Sequence, residues 1–146
     1  MFWKKPDKRP LGAKSVSPCE HFGITESSRK DKPRLIYDVG MHVGQDTAFY
    51  LAKGFNVVAV EANPLLARAG EKKFSSFIRD GRLTILNVGI GAEAGVFPFY
   101  VNDTLSEWSS FNKEIGAREG KFHEITVECV TFGSSPVLMN PNWYRA

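Results

Sequence analysis

The sequence has few of the features that mark membrane, secreted or metal-binding proteins. It contains no apolar run of 18 residues, so no membrane-spanning helix is predicted. Its first residues, Met1 to Lys5, lack the apolar segment of a secretion signal. The two cysteines, Cys19 and Cys129, lie 110 positions apart and form no metal or redox motif, and the three histidines are too scattered to indicate a metal site. We therefore expect a cytoplasmic protein without a bound metal.

Positive charge is concentrated at the amino terminus. Residues 1–34 carry nine Lys/Arg against four Asp/Glu, whereas the other 112 residues carry ten against twelve. Residues 1–33 also contain four prolines and no helical or strand period, which predicts a flexible basic leader. A packed cap over the site is an alternative. Nucleic-acid binding is disfavoured, because no recognised binding module surrounds the aromatic residues of the leader.

The rest of the chain alternates strand and helix patterns. A length of 146 residues with 42% apolar and 24% charged content fits one globular domain. Asn63-Pro64 has the typical form of a helix start, with Asn as the N-cap. The predicted order is strand 35–40, helix 44–53, strand 56–62, a helix from 64 and strand 82–88. This order predicts a parallel sheet with right-handed crossovers, and the continuous apolar run at 35–40 is typical of a central strand.

The pattern changes after Gly91. Residues 96–101 alternate as a strand, and Pro98 places that strand at a sheet edge. Residues 112–118 suggest a short helix, and alternation around Val127 predicts a further strand. We therefore expect an added antiparallel strand pair after the third strand. The domain is predicted to span 34–132, followed by an irregular tail at 133–146.

A glycine turn follows the first predicted strand and indicates a cofactor site. The segment Asp38-Val-Gly-Met-His-Val-Gly44 lies between a strand and a helix, so free N–H groups should point into the crevice at the strand's carboxyl end. Glu61 ends the next strand 21 positions after Gly40, near the usual spacing of a ribose-binding carboxylate. A dinucleotide turn needs a second glycine where His42 stands, which counts against NAD.

Other polar residues near these strand ends have two interpretations each. Asp38 would meet an amino group of the ligand or favour the helix N-terminus electrostatically. Asn63 would act first as a cap and second as an adenosine neighbour, and Asn87 would line the adenine pocket or bond local backbone. His42 would touch the ligand or face solvent. No catalytic triad or other catalytic arrangement can be identified.

Taken together, these segments resemble the FkbM family of S-adenosylmethionine-dependent methyltransferases. The matching pieces are Tyr-Asp-Val-Gly-Met-His-Val-Gly-Gln-Asp-Thr, Val-Glu-Ala-Asn-Pro, Leu-Asn-Val-Gly-Ile-Gly and Trp-Ser-Ser-Phe, and the resemblance covers about residues 34–132. It implies a class I methyltransferase fold, Rossmann-like and three-layered, that binds S-adenosylmethionine. The cofactor-binding residues implied are Asp38, Gly40, Gly44, Glu61, Asn63 and Asn87, and His42 is a further candidate from its position inside the glycine turn.

The resemblance also implies a reaction, which is O-methylation of a hydroxyl on a small molecule or glycan. Two departures qualify it. The family's first turn more often reads Gly-Ala-Asn-x-Gly, so Met41 and His42 differ. The strand ending in Lys-x-Asp-x-Glu-Gly is not found after Phe132, which predicts an incomplete fold and a truncated chain, and an active and an inactive methyltransferase are both alternatives.

Loss of that strand would leave residues 35–40 as an open apolar edge and favour self-association. The alternatives are a non-catalytic, partner-dependent binding module and, less favoured, an NAD-dependent oxidoreductase.

Overall fold

The computed structural model describes residues 34–133, 135 and 138. The predictions for the leader and for most of the tail lie outside these residues. The helices and strands, in chain order, are β1 (Leu35–Val39), α1 (Gln45–Ala52), β2 (Asn56–Val60), α2 (Pro64–Lys73), α3 (Ser75–Arg79), β3 (Leu83–Leu86), β4 (Gly89–Ile90), β5 (Gly95–Asn102), a 3₁₀ turn (Ser106–Trp108), α4 (Lys113–Gly116) and β6 (Phe122–Val130).

The first sheet is parallel and has the order β1-β2-β3. Val58 of β2 is level with Tyr37 on one side and Thr84 on the other. Every residue of β2 is buried, as expected for the strand between two neighbours. The predicted α/β class with a parallel sheet is confirmed. Because the strands run in the same direction, their carboxyl ends share one edge of the sheet.

Alternate residues of β2 pack on opposite faces of this sheet. Val57 and Ala59 join a cluster with Leu51 of α1 on one face. Val58 and Val60 pack on the other face, where Leu138 from the tail is also buried. Side chains pointing alternately to the two faces are a direct result of the strand period of two.

The apolar run at 35–40 is typical of a central strand, but among the described strands β1 lies at the edge of this sheet, and its residues are half-buried or exposed. This position is the one expected for residues 35–40 when the strand that would lie beside them is missing. Among the described residues, no strand pairs with the side of β1 that faces away from β2. The side chain of Tyr37 contacts two later residues: its hydroxyl donates to the Leu138 carbonyl at 2.6 Å, and its ring meets Phe132 edge-on. An apolar run indicates that a strand is buried but not what buries it. Here part of the contact comes from single residues and not from a neighbouring strand.

The helix that begins at Pro64 is capped as predicted. Asn63 Oδ1 accepts a hydrogen bond from the Leu65 N–H at 3.0 Å, which satisfies one of the free donors of the first turn. At Phe74 the backbone leaves the helical region (φ −107°, ψ 21°), and a second short helix, α3, begins there. The helix α2 packs closely at Gly70, since a Cβ there would lie 2.5 Å from Met41 Cε in the turn after β1 and 3.2 Å from Ile85 Cδ1 of β3.

The second sheet has the order β4-β6-β5, with β5 and β6 antiparallel over eight residue pairs. Pro98 lies on the edge strand β5, as predicted. The Tyr100 N–H donates to Ser110 O, on the side of β5 that faces away from β6. Pro98 is two residues earlier, so its nitrogen points the same way and no bond to β6 is lost. The short helix predicted at 112–118 is present as α4, capped by Asn112.

Among the described residues, no helix is long and apolar enough to cross a membrane.

Candidate functional site

A cleft of about 420 Å³ lies at the carboxyl ends of β1 and β2 and continues to the second sheet. One wall comes from the first sheet and its connections, and the other comes from β4, β5 and the segment after β5. The lining residues are Val39, Gly40, His42, Val60, Glu61, Ala62, Leu66, Val88, Gly89, Ile90, Phe99, Ser106, Glu107, Ser109 and Phe111. Ligands of open parallel sheets usually bind at this end of the strands.

The glycine turn between β1 and α1 is tied to β2 by its own backbone. The N–H groups of Gly40 and Met41 both donate to the Val60 carbonyl, at 2.8 and 3.0 Å. Gly40 (φ 86°) and Gly44 (φ 77°) adopt left-handed conformations that favour glycine. Gly44 is the N-cap of α1, and a Cβ there would lie 2.5 Å from Phe74 Cε2. Gly44 therefore holds the turn against α2 and does not line the cleft.

Met41 and His42 follow one another in the turn and have opposite surroundings. Met41 is 3% exposed and packs in the core with Phe74, beneath Gly70. His42 lines the cleft and has a φ of 52°, which is uncommon for a residue other than glycine. The turn is thus anchored in the core by one side chain and presents the next one to the cleft.

Glu61, predicted from its spacing, lies in the cleft and is only 6% exposed. Its Oε2 accepts from the His42 N–H at 2.8 Å, and its Oε1 accepts from the Asn63 N–H at 2.8 Å. A carboxylate has about four acceptor positions, so each oxygen keeps capacity for a further donor. The two backbone bonds fix the orientation of the carboxylate and hold the glycine turn next to it.

Asp38 contacts the first helix and does not line the cleft. Its Oδ2 accepts a hydrogen bond from the Thr47 hydroxyl at 2.5 Å, and Thr47 is fully buried in α1. The contact joins the end of β1 to the first turn of α1. This agrees in location with the role at the helix N-terminus that was one of the two interpretations of Asp38. A ligand role for Asp38 stays a prediction.

Asn63 and Asn87 both make local hydrogen bonds and do not line the cleft. Asn63 is the cap of α2 described above. The Asn87 Nδ2 donates to the carbonyls of Glu61 and Ala62, at 2.8 and 3.1 Å. Asn87 therefore fixes the backbone that follows β2, which was the alternative considered for it. Contact of either residue with an adenosine group stays a prediction.

The segment 103–111 supplies several cleft residues that the sequence did not identify as site residues. Ser106, Glu107, Ser109 and Phe111 all line the cleft. The only sequence signal was the Trp-Ser-Ser-Phe piece in an otherwise polar stretch. Polar segments without periodicity do not reveal which side chains face a cleft.

Asn102, at the end of β5, holds this segment in place. It is 2% exposed. Its Nδ2 donates to the carbonyls of Gly116 and Arg118, and its Oδ1 accepts from the N–H groups of Thr104 and Leu105. The side chain thus satisfies four backbone groups at once and fixes the path of the chain toward Ser106.

One side-chain hydrogen bond crosses between the two walls of the cleft. His42 Nε2 and Ser106 Oγ are 2.7 Å apart, although the two residues are 64 positions apart in the sequence. His42 comes from the glycine turn and Ser106 from the 3₁₀ turn after β5. A ligand in the cleft beside this pair would meet both a ring nitrogen and a hydroxyl.

The charge of the cleft is acidic. Among the described residues that line it there are two carboxylates, Glu61 and Glu107, and no Lys or Arg. No group of three or more His, Cys, Asp or Glu in the described part of the chain has the arrangement of a metal site. The cleft is therefore better suited to a neutral or cationic ligand than to a phosphorylated one.

A glycine turn, a carboxylate at the end of the next strand and a cleft between them are typical of α/β domains that bind a nucleoside-containing cofactor. The family model of the methyltransferase FkbM domain matches residues 38–137, and the chain belongs to this family of methyltransferase domains. The resemblance seen in the sequence is thereby confirmed. Searches of curated proteins and of solved structures gave no significant match.

Proposed function

We propose that the chain binds S-adenosylmethionine in the cleft between the two sheets and serves O-methylation of a hydroxyl acceptor. The observation that carries the proposal is the position of Glu61. It is a nearly buried carboxylate, held by two backbone N–H groups and facing the cleft beside the glycine turn. Its remaining acceptor capacity suits the two hydroxyls of a ribose.

The charge of the cleft favours this cofactor over a dinucleotide. S-adenosylmethionine supplies a reactive methyl group on a positively charged sulfur. Glu61 and Glu107 favour that charge, while the described lining residues offer no Lys or Arg to a pyrophosphate. His42 stands where a dinucleotide turn has its second glycine, and this also disfavours a dinucleotide.

Residues of both walls would act on the ligands. The N–H groups of the glycine turn are largely used internally, since those of Gly40 and Met41 bond Val60 and that of His42 bonds Glu61. Contacts from the turn would therefore come from the His42 ring and from close backbone approach at Gly40, where a Cβ would meet nothing within 4 Å. Phe99 and Phe111, packed edge to face at 4.8 Å, offer an aromatic surface in the cleft wall.

Isothermal titration of the folded protein with S-adenosylmethionine tests the proposal. We expect saturable binding, and we expect Glu61→Gln to weaken it about tenfold or more, because a charged acceptor of ribose hydroxyls is lost. Glu124→Gln, an exposed change on β6, is the matched control and should leave the affinity unchanged.

Absence of binding at millimolar cofactor by a folded protein would contradict the proposal. A parallel titration with NADH tests the oxidoreductase alternative, and tighter binding of NADH than of S-adenosylmethionine would favour it. Binding without methyl transfer to any hydroxyl compound of a broad acceptor set would favour the non-catalytic binding module.

A further inference from the structure

A second cleft of about 330 Å³ adjoins the first and is mostly apolar. Its lining residues are Ile90, Gly91, Ala92, Glu93, Phe97, Pro98, Phe111 and Cys129. Ile90 and Phe111 also line the first cleft, so these two side chains form a shared boundary. A molecule in the second cleft would thus lie one side chain away from a molecule in the first.

The wall between the clefts is closely packed. A Cβ at Gly89 would lie 2.4 Å from Phe111 Cζ and 2.6 Å from Cys129 Sγ, so the backbone of β4 is pressed against both side chains. Phe111 is itself held edge-on by Phe99 at 4.8 Å. The apolar surface of the second cleft is therefore formed by side chains that packing holds in position.

The lining residues indicate the chemistry of an occupant. Five apolar side chains and the Cys129 thiol surround a single carboxylate, Glu93, and the described lining residues include no Lys or Arg. A volume of this size suits a ring system or a branched chain better than a protein segment. Phosphate, sulfate or carboxylate groups would find no positive partner in either cleft.

We propose that the second cleft binds the apolar part of the methyl acceptor, and that this acceptor is a neutral hydroxyl compound with a ring or branched hydrocarbon group. The inference rests on the proposed function for the identity of the occupant as an acceptor. Ile90 and Phe111 line both clefts, so an acceptor in the second cleft would lie next to the cofactor in the first. An acceptor held by its apolar part in the second cleft extends its hydroxyl toward the cofactor cleft.

Binding of a matched pair of fluorescent probes tests the inference without requiring catalysis. N-phenyl-1-naphthylamine is neutral, and 1-anilinonaphthalene-8-sulfonate has the same ring system with a negative charge. We expect the neutral probe to bind with increased fluorescence, and the sulfonate to bind about fivefold more weakly or worse because it lies near Glu93. Equal or tighter binding of the sulfonate would overturn the inference.

Two substitutions locate the neutral probe. Ala92→Trp fills the second cleft and should weaken binding about tenfold or more. Val96→Trp adds the same side chain at a position that is 69% exposed and outside the cleft lining, and should leave binding unchanged. Unchanged binding in a folded Ala92→Trp variant would place the probe elsewhere and overturn the inference.

The reactivity of Cys129, which lines the second cleft, tests the inference without a substitution in that cleft. In a Cys19→Ser background, the neutral probe should slow the reaction of Cys129 with 5,5′-dithiobis(2-nitrobenzoic acid) several-fold, because the thiol lines the occupied cleft. An unchanged rate at saturating probe would contradict the inference.

Addition of S-adenosylmethionine separates this inference from the proposed function. Simultaneous binding of cofactor and probe supports two adjoining sites, whereas competitive displacement would place the probe in the first cleft and overturn the inference. Failure of the cofactor to bind, with probe binding still sensitive to Ala92→Trp, would refute the proposed function and with it the assignment of the occupant as a methyl acceptor.

Discussion

The two sheets form opposite walls of one cleft, but different forces hold the two walls. The wall from the parallel sheet is set by apolar packing and backbone geometry, with Met41 buried behind the glycine turn and β2 buried along its whole length. The wall from the antiparallel sheet depends on polar side chains, above all the four hydrogen bonds of Asn102. Packing and backbone hydrogen bonds specify the first wall, whereas the second wall depends on one polar side chain that bonds four backbone groups.

The largest effect is expected in the first wall at Gly44. Gly44→Ala should lower the free energy of unfolding by about 2–5 kcal/mol, from about 1–2 kcal/mol of left-handed strain and about 1–3 kcal/mol of overpacking against Phe74. Gly54→Ala is the matched control, because it has a similar φ of 86° but open space around the new Cβ, and only the strain should remain. Denaturant unfolding measures both. Equal losses would show that the contact with Phe74 contributes nothing.

A smaller but more local effect is expected in the second wall at Asn102. Asn102→Ala leaves two carbonyls and two N–H groups without their partner and should destabilise the protein by about 2–4 kcal/mol. Hydrogen exchange should rise first at Thr104 and Leu105, while β2 stays protected. Asn112→Ala, which removes one exposed cap bond, should cost about 1 kcal/mol. Loss of protection in β2 as early as in residues 103–111 would contradict the separate basis of the two walls.

The smallest effect concerns Cys129, on the buried face of β6. Burial raises the pKa of its thiol, with a hydrogen bond from the Gly89 backbone opposing the shift in part. In a Cys19→Ser background, alkylation by iodoacetamide should be slower than for a free thiol at pH 8, and its rate should still be rising above the pH at which a free thiol levels off. Because the folded state holds this proton more tightly, its contribution to stability is present at neutral pH and is lost as the pH rises through the folded pKa. A rate that levels off with that of the free thiol would contradict the raised pKa.

The sequence predicted the first wall better than the second for a physical reason. Strand-helix alternation, Asn63 as a cap and the position of Glu61 depend on contacts between near neighbours or on strand ends, and periodicity reports both. The positions of Gly40, His42 and Glu61 in one cleft follow from parallel strands ending at one edge. The hydrogen bonds of Asp38 and Asn87 do not follow, because the end of a strand does not fix which backbone group a polar side chain will reach.

Contacts across the cleft could not be predicted from one sequence. Ser106 meets His42 over 64 positions, and nothing in the sequence near either residue indicates the other. Asn102 begins the polar run Asn102-Asp-Thr104 in the sequence, although its side chain is among the most buried in the described part of the chain. The apolar run of β1 alone indicates a central strand, because such a run does not distinguish burial by a neighbouring strand from contacts with the residues Phe132 and Leu138.

Met41 and His42 are consecutive residues of one turn, and the first packs in the core while the second lines the cleft. The turn therefore connects the core directly to the cleft. A side chain added at Gly70 would lie 2.5 Å from Met41 Cε, the flexible end of that side chain, so the thioether moves first and the turn that carries His42 shifts only by what it does not absorb. Because the His42 N–H is also bonded to Glu61, the two cleft residues would move together. The shape of the cleft can therefore be altered from the buried face of helix α2, by substitutions at a position that does not line the cleft.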